Sequence, residues 1–368
     1  MKQLTTRQAK IIMMFYVCIS KIMILPSLIC ARLDSDFYAI FISMFVIELL
    51  FILLILNINK RNPELSFKDY FEQKFGVFVT KMFYFIIGSI ILFKTCMLFH
   101  ETFMYFFESL YVDLKWRFVI FPSGIFAVYM SSRNLRNFGR TIEIFCYVVL
   151  GCILIAWFDG VPNVTFLNII PKFDFASTDY FFPLVNSSIW FGDFLLLFFI
   201  LGNIKVEKKI SKEIIKGWVY GVVITLVTVV IFYGVFGITS SLRRMALIDL
   251  TQYAPKLSKT GNFIWLVNII WPIILFYQLA IQTYFTTQAY SYCFNAKHNY
   301  RFMLSCIVVV ATIVVLILFD LNITNLVNFI KGGFGAVVLF LQYILPFLMI
   351  IILILPFDVK ERRKVYVK

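Results

Sequence analysis

The chain alternates long apolar runs with short polar, mostly basic intervals. Runs such as Ile40 to Leu56 are continuous and lack the two-residue alternation of a half-buried strand. Backbone that crosses lipid must satisfy its hydrogen bonds internally, so only helices or a closed barrel can span, and continuous runs select helices. At about 20 residues per span, the pattern predicts spans at about 9–30, 37–57, 80–106, 117–132, 141–158, 181–202, 217–239, 263–292, 302–319 and 332–356. The fold class expected is therefore an all-α membrane protein of ten transmembrane helices, organised as a single transmembrane domain. The fourth span is the shortest, held between Arg117 and Arg133, whose long side chains can reach the interfaces.

Three intervals carry a pattern of their own. Residues 64–78 place Leu65, Tyr70, Phe71 and Phe75 on one side, as an interfacial amphipathic helix does. The 159–180 interval contains Pro162 and Pro171 and reads as irregular. The 240–262 interval is long enough for a short helix over the outer mouth, and a solvated cap is preferred there to a gate.

Composition agrees with a lipid solvent: 61% of residues are hydrophobic and 15% charged, with a mean hydropathy of +0.88. The net charge of +14 does not point to nucleic acid, because Lys and Arg lie chiefly in the intervals. With ten spans, the even loops and both termini hold most of the 34 basic residues, which puts both termini on the cytoplasmic side. The N-terminal run continues past a Lys and a Pro without a small-residue cleavage pattern, so it is read as a retained span. Seven cysteines without a C-x-x-C pair read as small buried hydrophobes, and His100 and His298 are too few for a metal cluster. No Walker A motif and no Ser/His/Asp set occurs; neither enzymatic activity nor a cofactor is expected.

Four charged residues fall about 11–14 residues into their spans: Lys21, Glu48, Lys94 and Asp193. At 1.5 Å per residue, that depth is near the middle of a roughly 30 Å core. Two cations and two anions balance there, and such charges persist when paired or when they face a polar cavity. Lys21 and Asp193 also sit beside helix-breaking sequence. Ser20-Lys21 precedes Pro26 in the first span; Pro183, Asn186-Ser187-Ser188 and Gly192 interrupt the sixth. Unwound backbone at that depth is tolerated only where it is buried in protein or lines a cavity. These are the first helices of two five-span halves, about 9–158 and 181–356, the arrangement in which transporters build a substrate site. Free N–H groups at one half-helix suit a carboxylate and free carbonyls suit an ammonium, a combination matched to a zwitterion such as an amino acid; the ligand expected overall is an amino acid or related amine. In the eighth span Gln278 and Gln282 share a face, either bonding neighbouring helices or meeting a ligand.

The chain resembles the B subunit of the nutrient germinant receptors of endospore-forming bacteria, within the amino acid–polyamine–organocation transporter superfamily. The resemblance rests on Gln3-Leu4-Thr5-Thr6-Arg7-Gln8, Ile24-Leu25-Pro26, Leu65-Ser66-Phe67, Arg140-Thr141-Ile142-Glu143 and Gly192-Asp193-Phe194-Leu195-Leu196, in that order along the spans. It implies a five-plus-five inverted-repeat bundle of the LeuT type in the inner membrane of the spore. A germinant would sit between the interrupted first and sixth helices and the third and eighth. It also implies partner A and C subunits, and a response of ion and dipicolinate release. The ligand-binding set carried onto this chain is Ser20, Lys21, Ile22, Ser187, Ser188, Gly192 and Asp193, joined by Lys94 and Gln278. Ser20-Lys21 departs from the glycine-rich break usual in that family. A free-standing secondary transporter coupled to H⁺ or Na⁺, and a membrane scaffold without ligand, are the competing readings.

Overall fold

The computed structural model describes residues 4–61, 65–109, 115–172, 177–204, 209–252, 264–296, 300–319 and 323–354. The basic residues Lys205, Lys208, Lys297 and Lys360, used in the topology argument, lie outside them. Among the described residues the protein is helical, with no strand beyond an isolated parallel bridge between Leu4 and Ile204. Among the described residues, eight helices are long and apolar enough to cross a membrane. The apolar helix α5 (Arg117–Ser131) is shorter, at 15 residues. The expected first span is divided into α1 (Thr6–Ile19) and α2 (Leu25–Leu33).

Local chemistry explains the ends of these elements. Thr5 caps α1 by accepting from the Gln8 N–H at 3.2 Å, and the Gln8 side chain returns the bond to the Thr5 N–H. Pro26 lies in the first turn of α2, where its missing N–H costs nothing; it starts the second half of the broken helix. Next come α3 (Tyr38–Arg61), α4 (Phe67–Ser109), α5 and α6 (Leu135–Gly160). The expected amphipathic helix is the first part of α4, set off from the span by Gly76 at φ 82°. It folds onto the bundle, with Phe71 fully buried and stacked on Phe83 at 4.8 Å.

After the short α7 (Phe166–Ile169), the sixth expected span appears as α8 (Ser177–Ser187), two 3-10 turns at Ser188–Trp190 and Asp193–Leu196, and α9 (Leu197–Ile200). Then follow α10 (Ile210–Phe236), α11 (Ala246–Gln252), α12 (Ile264–Cys293) and α13 (Arg301–Leu318). The last expected span is assembled from α14 (Ile323–Phe329), α15 (Gly335–Leu339) and α16 (Leu345–Ile354), joined by π-helical turns.

The broken α1 is the most enclosed element, packed along α10 and against α6, while α12 lies along α4 and α5. Gly217 and Gly221 make the first of these contacts possible. A Cβ at either position would run into a backbone carbonyl of α1, at Lys10 and at Met14 respectively. Small residues four apart let two membrane helices approach this closely. The solvated cap expected over the outer mouth is corrected by α11: Ala246, Leu247 and Ile248 are buried, and the Ala246 N–H donates to the Met23 carbonyl at 3.1 Å. Apolar side chains of this segment gain more from the bundle than from covering it. Residues 253–263 of that interval lie outside the described residues.

Candidate functional site

The two interruptions meet in the middle of the fold. In the first, residues 20–24 leave helical geometry, and the Lys21 side chain turns back to the end of α1. Its ammonium donates to the Val17 carbonyl at 3.0 Å and forms a buried ion pair with Asp193. The same ammonium lies 5.0 Å from the centre of the Phe191 ring, within cation–π range.

In the second interruption the helix continues through Ser187 and turns at Phe191-Gly192, later than the polar Asn186-Ser187-Ser188 stretch suggests. Gly192 takes φ 84°, ψ 31°, the left-handed region open to glycine. The turn exposes backbone groups on both sides, and side chains from three other helices satisfy them. From α3, Glu48 accepts the Gly192 N–H at 2.5 Å and the Asp193 N–H at 3.0 Å. The α4 residue Lys94 donates to the Phe191 carbonyl. Gln342 donates to the carbonyls of Ser188 and Phe191, at 2.9 and 2.7 Å. The half-helix N-terminus expected to seat a ligand carboxylate thus holds the protein's own Glu48, whose other oxygen lies 3.5 Å from Trp218 Nε1.

Beside this network is a small cavity between α1, α4, α12 and the second break, lined among others by Ser20, Lys94, Glu101, Trp190, Asp193 and Gln282. About 20 Å³ is open to the centre of a water-sized sphere, close to the space one water needs. A nutrient larger than water can occupy it only when the walls part.

The expected ligand-binding residues divide around it. Ser20, Lys94 and Asp193 line the cavity, and Lys21 is joined to it through Asp193. Gly192 contributes a backbone N–H to the network. Ile22 is buried in the hydrophobic core. Ser187 and Ser188 donate to their own helix, at the Leu184 and Val185 carbonyls. Gln278 is buried one turn from Gln282, and neither of its amide atoms has a partner among the described residues.

Two contributors, Glu101 and Gln342, are new, and Gln282 takes the cavity-facing alternative of the two expected for it. Glu101 is 1% exposed and accepts from Trp190 Nε1 at 3.0 Å. Gln282 lines the cavity with its Oε1 unpartnered among the described residues. Gln342 closes the break. Glu101 stands near the end of its expected span, where a carboxylate reads as interfacial. Gln342 is an isolated amide in an apolar run, and nothing local marks what it faces.

Apolar helices, an exterior set with large hydrophobic side chains such as Phe118, Ile144 and Leu318, and a buried ion pair where two broken helices meet define an integral membrane protein built around a broken-helix site. The chain belongs to the spore germination protein family, whose model matches residues 3–325. No curated protein matches it.

Proposed function

We propose that this protein is the ligand-sensing membrane subunit of a spore germinant receptor. In this reading it binds a small nutrient, an amino acid or related amine, and triggers germination. It would have ten spans in a five-plus-five inverted repeat, both termini cytoplasmic, in the inner membrane of the spore, and would act with A and C subunits. The observation that carries the reading is the convergence of the two interruptions on one buried ion pair, Lys21 with Asp193, beside a polar cavity. Buried ionisable groups at interrupted helices are the physical mark of a membrane ligand site. A protein that only packs helices would gain more from apolar side chains at these positions. Membership of the spore germination family supplies the process the ligand would control.

The self-satisfied break favours sensing over carrying. Glu48, Lys94 and Gln342 hold the second interruption in one arrangement without help from a solute. A ligand that shifts such an arrangement need only bind its alternative better. The test is dipicolinate release from spores across single nutrients, with and without this chain. Loss of response to one nutrient class is expected. Uptake of that nutrient at ordinary transporter turnover by the purified chain in liposomes would replace the receptor with a secondary transporter.

A further inference from the structure

The charges at the centre of the fold do not balance. Lys21 and Lys94 face Glu48 and Asp193, and Glu101 is a third carboxylate in the same wall. All five side chains are buried. Asp193 has Lys21, and Glu48 has two backbone N–H groups. Among the described residues no cation lies within ion-pair distance of Glu101, whose one hydrogen bond comes from the Trp190 indole. Lys94 is seven residues away on the same helix, a rise of about 10 Å, and is drawn to the Phe191 carbonyl at the break. His100 is adjacent in sequence but points about 100° round the helix and does not line the cavity. A carboxyl group buried at a polar cavity without a counter-ion takes up a proton, and ionises there only when a cation is brought to it.

The donors a ligand carboxylate would use are engaged: the break's N–H groups with Glu48, Lys21 with Asp193, Lys94 with Phe191. The wall near Glu101 instead offers acceptors, the Glu101 carboxylate and the unpartnered Gln282 Oε1, with aromatic surface from Trp190 and Tyr16. Acceptors and aromatic rings together suit an alkylammonium group.

We propose that the ligand is a small amine of net charge +1 and that Glu101 is its counter-ion. This rests on the sensing role proposed above. An ammonium brought to Glu101 lets it act as a carboxylate, whereas a zwitterion would add a second carboxylate where the charged and backbone donors are already engaged.

The experiment is thermal unfolding of the purified full chain in detergent, titrated with n-propylamine, n-propanol and alanine. For the wild type, propylamine is expected to raise the midpoint at a concentration at least tenfold below that required of alanine, and propanol to have no effect. Glu101→Gln should raise the required propylamine concentration at least tenfold and leave any alanine response where it was. Alanine as the better ligand of the wild type overturns the proposal while leaving the sensing role intact. So does an unchanged propylamine response in Glu101→Gln. Absence of any shift with these probes and with a panel of nutrients overturns both. The wild-type comparison of amine with amino acid decides the question even if Glu101→Gln fails to accumulate.

Discussion

At the first interruption the chain draws on its own side chain, Lys21, for the open end of α1, and on a backbone N–H of α11 for Met23. At the second, Glu48, Lys94 and Gln342 come from three other helices. The backbone differs as well: residues 20–24 contain no left-handed residue, whereas Gly192 is left-handed and pressed against Gln342. A break held mainly by backbone and its own lysine and one held by side chains from other helices are thus tied by a single ion pair. The second should tolerate little change anywhere; in the first, sensitivity should be concentrated at Lys21 and fall away at Ser20.

The largest effect is expected from cutting the tie. Lys21→Met or Asp193→Ala leaves one buried charge unpaired and should cost about 3–5 kcal/mol, seen as reduced membrane accumulation and a lowered unfolding midpoint. The double variant Lys21→Met/Asp193→Leu should recover part of that loss, with a coupling of about 0.5–3 kcal/mol. Strict additivity would mean that the breaks are independent. Next is Gly192→Ala, which places a Cβ in left-handed backbone and displaces the Gln342 amide. A loss of about 2–4 kcal/mol is expected by thermal unfolding. Gln342→Leu removes one of two donors from each of the Ser188 and Phe191 carbonyls, which keep the Phe191 N–H and Lys94 respectively, so about 0.5–1.5 kcal/mol should be lost. The smallest change belongs to the first break: Ser20→Ala should lie within about 0.5 kcal/mol of wild type in the same assay. A cost at Ser20 as large as that at Gly192 would erase the distinction.

Much of this was legible in the sequence. Apolar run length located the helices, and Pro26, Gly192 and the two midplane charges marked the breaks, because a charge or a missing N–H is conspicuous against lipid. What escaped depends on which helices become neighbours. Glu48 was legible as a buried charge, but its role as acceptor for the Gly192 and Asp193 N–H groups needs α3 placed against the break. Glu101 escaped because it lies near the end of the span expected at about 80–106, where a carboxylate draws no notice, whereas α4 continues to Ser109. Gly217 and Gly221 read as ordinary glycines until α1 lies against them. Within the expected interruption, the sequence does not single out Gly192 as the sharp turn, since serines bonding to their own helix look the same in sequence as serines ending one.

The bond between Gln342 and the Phe191 carbonyl also has a history in time. A ribosome that has just made residue 191 must add about 150 more before Gln342 exists, which at 5–20 residues per second takes roughly 8–30 s. For that interval the Ser188 carbonyl has only the Phe191 N–H, and the Phe191 carbonyl only Lys94. Glu48 and Lys94 precede the turn in the chain, so they can hold it from the start, and Gln342 fastens it last.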